Sequence, residues 1–245
     1  MKYTEKFKVR ISDLDYKKEV SLNSIMKYFL ETAFKHEDFL IESRQGEKVE
    51  NYAWVIYKWI VSFDETAGLG VNLKVNTWLS KVDRFLLDRS FELINEKGKR
   101  IAKAKSVWNM VNTESRSLMR IPKEMELAEQ VVDMDFFPKD RKLSDIDDGL
   151  ESSREEREVL TYDVDANNHM NNLSYLQKIL DSIPFDLLKD NRIRSAEIIY
   201  KRELLPKEKF TVKTTSKPNA GMEIFSQIVN ANEDTEYARA VVKLG

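Results

Sequence analysis

The stretch from Tyr162 to Asn172 carries the densest set of chemically active side chains in the sequence. It reads YDVDANNHMNN and holds two aspartates, four asparagines and one of the two histidines of the chain. Carboxylates and imidazoles can transfer protons, and amide groups can polarise a carbonyl. Asp165, Asn167 and His169 are therefore candidates for chemistry on a carbonyl compound.

A helix is predicted directly after this stretch. Its apolar residues follow a three-and-four spacing that places them on one face, at Leu173, Leu176, Ile179, Leu180 and Ile183. Asn171 or Asn172 is a natural N-cap, because its side-chain oxygen can accept from the first backbone N–H groups. With a strand ending near Tyr162, the polar turn would lie at the helix N-terminus, where anions bind readily.

The composition excludes several classes of function. The chain has 40 basic and 42 acidic residues, and this formal net charge of -2 argues against a general nucleic-acid-binding protein. It has no cysteine, so disulfides, cysteine zinc sites and a thiol nucleophile are ruled out. His36 and His169 lie far apart in sequence and do not suggest a metal centre. We expect neither a metal nor a cofactor.

The hydropathy pattern does not predict a membrane protein. No apolar run approaches transmembrane length. The N-terminal sequence MKYTEKFKVR lacks the apolar core of a signal peptide. We therefore expect a cytoplasmic protein with no membrane span.

The order of predicted elements occurs twice along the chain. Residues 4–11 alternate like a strand and a helix begins near Leu22, and a second strand, turn and helix follow Glu158. Four strand-like runs follow each helix, at 52–63, 71–80, 85–95 and 99–112, and then at 193–204, 208–216, 221–230 and 235–244. The pattern predicts an α+β protein with an N-terminal module (1–122), a charged, solvated linker (123–156) and a C-terminal module (157–245).

Residue identities support a duplication. Four residues recur at an offset of 150, with Asp13, Asp15, Ser24 and Leu30 matching Asp163, Asp165, Ser174 and Leu180. Asn167 corresponds to Lys17 of the first copy, and His169 corresponds to Glu19. Because the first copy keeps the scaffold without the asparagine and the histidine, these two side chains are interpreted as functional rather than structural.

A Tyr-Lys pair adds one more candidate. It begins at Tyr57 in the first copy and at Tyr200 in the second. Aligning the two pairs places Glu203 opposite Ile60, so that the carboxylate is also specific to the second copy. Asp163 is instead interpreted as structural, because the first copy retains its counterpart.

These motifs resemble those of the acyl-acyl carrier protein (acyl-ACP) thioesterases of plant plastids and their bacterial relatives. The resemblance rests on DVDANNHMNNLSYL at 163–176, YKRE at 200–203 and SVWNMVNTESRSLMRIP at 106–122. It implies two tandem hot-dog modules, each with a central helix wrapped by an antiparallel sheet. Many plant members have a cysteine immediately after the glutamate, where this chain has Leu204. Without a plastid transit extension, the chain looks like a bacterial member.

The resemblance also implies site residues and a partner. The catalytic groups would be in the C-terminal module, at Asp165, Asn167, His169 and Glu203. The fatty acyl chain would lie in the N-terminal module, where Met26, Phe29 and Leu30 are candidate substrate-binding residues. The partner would be acyl carrier protein bearing a phosphopantetheine-linked acyl chain, with no nucleic acid involved. A homodimer is compatible with the sequence.

The expected reaction is hydrolysis of a thioester by water. Glu203 and His169 would orient the water and take its proton, while Asn167 polarises the carbonyl. Asp165 would orient the asparagine or the imidazole, and in a competing route it attacks the thioester directly to give an anhydride. Two other functions stay open, a coenzyme A thioesterase on the same fold and a non-catalytic acyl-thioester-binding protein.

Two further expectations concern charged side chains. The carrier protein is acidic, so a basic patch is expected at the entrance, with candidates Arg192, Arg194, Lys201 and Arg202. His36 is interpreted as an ordinary residue on the face of the first helix.

Overall fold

The predicted strands are rich in aromatic and β-branched residues, and such side chains pack well on a pleated sheet. In the computed structural model, which describes residues 1–43, 49–137, 152–219 and 221–245, these runs form antiparallel strands. The described residues fall into two compact units, one up to residue 137 and the other from residue 152. Within the described ranges, no helix has the length and hydropathy needed to cross a membrane.

The first unit consists of one antiparallel sheet and one long helix. Its strands are β1 (Tyr3–Lys8), β2 (Tyr52–Phe63), β3 (Asn72–Val82), β4 (Leu86–Asn95), β5 (Arg100–Asn112) and the short β6 (Leu118–Met119). They lie in the order β1-β3-β4-β5-β2, and β6 pairs with β5. Helix α1 (Leu22–Ser43) packs against β1 and β3. Short 3-10 turns span Ile11–Asp13, Lys123–Met125 and Leu127–Gln130.

The second unit repeats this topology. Its strands are β7 (Ser152–Glu158), β8 (Ile193–Tyr200), β9 (Lys209–Asn219), β10 (Gly221–Val229) and β11 (Glu236–Leu244). They lie in the order β7-β9-β10-β11-β8, which matches the first sheet strand for strand. Helix α2 (Asn172–Asp181) packs against β9, β10 and β11 and is followed by α3 (Phe185–Asp190). The predicted α+β duplication is confirmed.

Three aromatic rings fix α1 on its sheet. Phe29 lies 5.1 Å from Phe91 and 6.3 Å from Trp59, measured between ring centroids. All three side chains are almost fully buried. Because each such ring buries roughly 150–250 Å², this cluster is a major part of the core of the first unit.

The charged segment after β6 is held on the first unit over residues 123–137 rather than being solvated throughout. Met125 and Leu127 are buried. The Trp78 indole donates to the backbone oxygen of Met134 over 2.6 Å. The charges in this segment had suggested solvent exposure, but apolar residues between them attach it to the sheet.

Several predicted boundaries differ from the structure. The middle of the expected linker, residues 138–151, lies outside the described residues, and its last five residues belong to β7. The strand predicted to end near Tyr162 ends at Glu158, and Thr161–Asp163 form a 3-10 turn. The strand predicted over 193–204 ends at Tyr200.

His36 is a buried residue, contrary to its interpretation as an ordinary helix-face residue. Its Nδ1 atom accepts a hydrogen bond of 2.7 Å from the Arg89 guanidinium, and its ring stacks on Tyr3. Burial and the charge of Arg89 lower the pKa of His36 to about 3. The imidazole is therefore neutral in the folded protein at neutral pH.

This burial predicts a pH dependence of stability. As the pH falls, the unfolded chain protonates His36 near its ordinary pKa of 6.5, before the folded protein does. The contribution of the neutral His36 to the free energy of unfolding is complete above about pH 6.5 and is lost progressively towards pH 3. Between pH 6 and pH 4, the unfolding free energy of the unmodified protein should fall more steeply than that of His36→Gln, by about 1.4 kcal/mol per pH unit.

Urea unfolding at several pH values measures this difference. The glutamine keeps an acceptor for the arginine but does not titrate, which makes it the matched control. Parallel stability curves for the two proteins would show that the histidine does not titrate differently on folding.

Candidate active site

The polar turn before α2 is closed by its own backbone. The Asp165 N–H donates to the His169 oxygen over 2.9 Å, and the Asn168 N–H donates to the Asp165 oxygen over 3.0 Å. Asn168 has φ 62°, a left-handed conformation that asparagine tolerates better than most residues. The Asp165 carboxylate accepts from the Asn167 N–H over 2.8 Å. The turn thus presents Asn167 as an exposed side chain and His169 at its end.

The predicted cap of α2 is Asn171. Its side-chain oxygen accepts from the Leu173 N–H over 2.8 Å, and its own N–H donates to the Asp163 oxygen over 2.7 Å. The first bond satisfies one of the open donors of the helix start. The Ser174 N–H donates to the Asn171 backbone oxygen over 2.8 Å, so the N–H groups of Leu173 and Ser174 are both bonded to the cap residue.

Glu203 lies in the loop after β8, not on the strand as expected. The Met170 N–H donates to the Leu204 oxygen over 2.8 Å and holds this loop against the turn. The Glu203 Oε2 atom lies 3.0 Å from the His169 Nε2 atom. The imidazole is 16% exposed and the carboxylate is 52% exposed, so water can reach the pair. The structure therefore brings together the histidine and the glutamate that were predicted from separate motifs.

Tyr175 of α2 contacts the loop on both sides of Glu203. Its hydroxyl donates to the Arg202 oxygen over 3.2 Å and accepts from the Leu204 N–H over 2.8 Å. The side chain is 2% exposed, and burial raises the pKa of Tyr175 well above its ordinary value. The hydroxyl is therefore protonated and able to make both bonds.

Tyr200, the last residue of β8, makes a second contact with α2. Its hydroxyl donates to the Asn172 oxygen at the start of α2 over 3.0 Å. Its ring lies 5.7 Å from that of Tyr175 in an edge-to-face arrangement. Neither tyrosine was predicted as a site residue, and Tyr200 was named only as part of the aligned Tyr-Lys pair. For Tyr175, the available signal was a hydroxyl on the otherwise apolar face of the predicted second helix.

The first unit contains the same turn and loop without the same side chains. The Val20 N–H donates to the Ala67 oxygen over 2.8 Å, as Met170 does to Leu204. At the position of the histidine, the Glu19 Oε1 atom accepts from the Thr66 hydroxyl over 3.1 Å. Thr66 is therefore the structural counterpart of Glu203.

This counterpart corrects the alignment of Glu203 with Ile60. In the first unit, two successive N–H groups, those of residues 64 and 65, donate to the Ile101 oxygen. In the second unit, those of residues 201 and 202 donate in the same way to the Tyr237 oxygen. The offset is therefore 137 after the helices, and the Tyr-Lys pairs do not correspond. The conclusion that the glutamate is specific to the second copy stands, on the basis of Thr66.

The two aspartates of each turn hold its shape. Asp15 accepts from the Lys17 N–H over 2.8 Å, just as Asp165 accepts from residue 167. Asp163 accepts from the Leu160 N–H and from the Lys178 ammonium, each over 2.9 Å. The retention of these aspartates in both copies thus has a structural explanation. The turn contact of Asp165 uses one of its two carboxylate oxygens.

The basic residues near Glu203 are in different environments. Arg194 donates to the Gly245 oxygen over 2.8 Å. Lys201 is paired with Glu236, and despite burial the hydrogen bonds from Arg239, Lys201 and a glutamine lower the pKa of this carboxyl to about 2. Arg202 is exposed next to the candidate site. All four predicted basic residues, Arg192 included, are exposed, and Arg202 is the one next to Glu203 in the chain.

The first unit has a small, partly open cavity beside α1, with about 10 Å³ of room for water-sized molecules. It is lined by Ala33, Phe34, Glu37, Trp54, Leu87, Arg89 and Trp108. Met26 and Phe29 lie in the core on earlier turns of the helix, and Leu30 is half-buried. The candidate substrate-binding residues thus precede the cavity along α1 and do not line it.

The part of the chain that the structure describes shows no group of three or more His, Cys, Asp or Glu placed to hold a metal ion. The candidate site itself offers an imidazole, two carboxylates and an amide. Such a set can bind and activate a water molecule beside a carbonyl.

Structural comparison defines the class of the protein as a tandem double hot-dog fold. The structure superimposes on an acyl-ACP thioesterase from Bacteroides thetaiotaomicron with a TM-score of 0.84 and 22% identity, covering 100% of this chain and 98% of the other. It is also similar to the 12:0-ACP thioesterase from Umbellularia californica, with a TM-score of 0.85, 20% identity and coverage of 100% and 94%.

Sequence comparison defines the family. The acyl-ACP thioesterase N-terminal domain matches residues 1–128, and the acyl-ACP thioesterase C-terminal domain matches residues 146–243. The chain belongs to the acyl-ACP thioesterase family.

Two curated relatives show the extent of the match. One is the chloroplastic palmitoyl-acyl carrier protein thioesterase of Cuphea hookeriana, 29% identical over 89% of this chain and 56% of its own length. The other is a chloroplastic acyl-[acyl-carrier-protein] hydrolase of Cuphea viscosissima, 30% identical over 82% of this chain and 52% of its own length. The chain thus spans about half the length of these relatives.

The paired aspartates predict a matched effect on stability. In the first copy, Asp13 accepts from the Arg10 N–H and the Tyr28 hydroxyl, each over 2.7 Å. Asp163→Ala and Asp13→Ala should each lower the unfolding free energy by ~1–3 kcal/mol, because each leaves polar partners without an acceptor. Urea unfolding measures both variants. A loss in only one unit would contradict the shared structural role.

Proposed function

We propose that the protein hydrolyses the thioester of fatty acyl-ACP and releases a free fatty acid and the carrier thiol. The observation that carries this proposal is the 3.0 Å contact between His169 Nε2 and Glu203 Oε2 at the end of the polar turn. Membership of the acyl-ACP thioesterase family supports it, as does the absence of this pair from the first copy.

The pair is suited to activating water. With the carboxylate ionised and the imidazole neutral, their contact requires the ring hydrogen on Nε2, which puts the ring lone pair on Nδ1. Either Nδ1 of His169 or the exposed carboxylate of Glu203 can accept the proton of a water molecule that attacks the carbonyl. The thiolate leaves readily, because a thiol has a pKa near ~8.5.

The other two residues of the set act on geometry and charge. Asn167 projects from the turn two residues before the histidine, and we assign it to stabilising the oxyanion of the tetrahedral intermediate. Asp165 holds the turn through the Asn167 N–H, so its effect on the reaction would pass through the asparagine. Direct attack by Asp165 is the competing route, and it would produce an anhydride that water then opens.

The acyl chain is assigned to the first unit. The cavity beside α1 has aromatic walls from Phe34, Trp54 and Trp108, but at about 10 Å³ it must widen before an alkyl chain can enter. Met26, Phe29 and Leu30 would support this site from the preceding turns of the helix. Each methylene group buried there contributes ~0.8 kcal/mol, so cavity depth alone gives a modest chain-length preference.

Free-thiol release across a chain-length series of acyl-ACP substrates tests the reaction. His169→Ala and Glu203→Gln should each lower kcat by ~10²–10⁴, the usual contribution of general-base catalysis. Glu19→Gln and Thr66→Val, at the equivalent positions of the first copy, should leave kcat unchanged. Full activity in the double variant of His169 and Glu203 would contradict the assignment of these two residues to catalysis. No release at any chain length would favour a non-catalytic acyl-binding protein.

Comparing the hydrolysis of acyl-ACP and acyl-coenzyme A substrates that carry the same acyl chain shows which carrier the protein prefers. We expect a lower KM for acyl-ACP, and we expect Arg202→Glu to raise that KM several-fold, because charge reversal repels an acidic carrier. High salt should reduce the difference between the variant and the unmodified protein. Equal KM values for the two carriers, unaffected by the substitution, would indicate the coenzyme A thioesterase. The cytoplasmic location and a homodimer stay predictions.

A further inference from the structure

We propose that Tyr175 is a positioning residue, whose hydroxyl sets the direction of the Glu203 side chain towards His169. The inference rests on the proposed function, since it assigns a task within the same site. About half of the Glu203 side chain is exposed, and the residue lies in a loop. Such a side chain needs a reason to stay within 3.0 Å of an imidazole.

The tyrosine contacts supply this reason. The Tyr175 hydroxyl donates to the Arg202 oxygen and accepts from the Leu204 N–H. These groups belong to the residues immediately before and after the glutamate. Fixing both neighbouring residues restrains the backbone dihedrals of Glu203 and hence the direction of its Cα–Cβ bond. A hydroxyl can donate and accept at once, whereas the phenylalanine ring can do neither.

The first copy shows that folding does not require this contact. At the offset of 150, Tyr175 corresponds to Ile25, which is buried in the same helix position. At the offset of 137, Tyr200 corresponds to Phe63. Both hydroxyls are therefore missing from the copy in which a threonine replaces the acid.

Docking of the loop on the turn does not require the tyrosine either. The bond from Met170 to Leu204 holds the loop in the second unit, and the bond from Val20 to Ala67 holds it in the first. Since the loop is held in both copies, the additional hydroxyl bonds have a different task. Their position on either side of Glu203 points to side-chain orientation.

Steady-state kinetics of Tyr175→Phe test the proposal. We expect kcat to fall by about 10- to 100-fold, the effect of misplacing a catalytic group by about 1 Å, with KM unchanged. The matched control is Tyr28→Phe, which removes a buried tyrosine hydroxyl bonded to Asp13 in the first copy. It should lower thermal stability to a similar extent and leave kcat unchanged.

A double variant separates positioning from general stability. If Tyr175 acts through Glu203, adding Tyr175→Phe to Glu203→Gln should cost little further activity. Independent, multiplicative losses would overturn the proposal, as would a loss confined to KM. A variant that failed to fold would also contradict it, because the first copy folds with isoleucine at this position.

A crystal structure of Tyr175→Phe provides a readout that does not depend on activity. We expect the distance between His169 Nε2 and Glu203 Oε2 to exceed hydrogen-bond range in the variant. A retained distance of about 3.0 Å would refute the positioning role. If the unmodified protein released no thiol from any substrate, the proposed reaction would fail, while this measurement would still decide whether Tyr175 orients the glutamate.

Discussion

A single backbone hydrogen bond, from the Met170 N–H to the Leu204 oxygen, organises the candidate site. It joins a turn that precedes a helix to a loop that follows a strand, and these segments lie more than thirty positions apart in the chain. Both copies share a bond of this kind, and in the second unit the bonds of the Tyr175 hydroxyl add to it. Because the bond is between backbone groups, it leaves the side chains at the junction open to variation, and the two copies differ there.

The duplication explains how much of the architecture was predictable. Strand positions followed from aromatic and β-branched runs, and the boundaries of β2 to β5 differ from prediction by at most two residues. The asparagine-rich sequence identified the turn and the helix cap correctly, because these features depend on local backbone and side-chain chemistry. Residues whose role depends on their neighbours in the chain could therefore be predicted from the sequence.

Other features of the site depend on contacts between distant residues. The offset changes from 150 to 137 because α1 has 22 residues and α2 has 10, with only the short α3 before the next strand. The Tyr-Lys match obscured this change and assigned Ile60 in place of Thr66. Likewise, nothing in the local sequence shows that the Tyr175 hydroxyl reaches the peptide groups around Glu203, or that Arg89 reaches His36.

The pairing of Glu19 with Thr66 has a consequence for how the two units can diverge. The first unit keeps the same kind of turn and loop that hold His169 and Glu203 in the second unit. At the equivalent positions, the Thr66 hydroxyl donates to the Glu19 carboxylate instead. On the proposed function, that unit need not supply a group that reacts with the carbonyl. The residues of its long helix can then change with the size of the bound acyl chain without altering the polar turn of the second unit. On that assignment, the duplication separates selection for fit to the acyl chain in the first unit from selection for reactivity in the second.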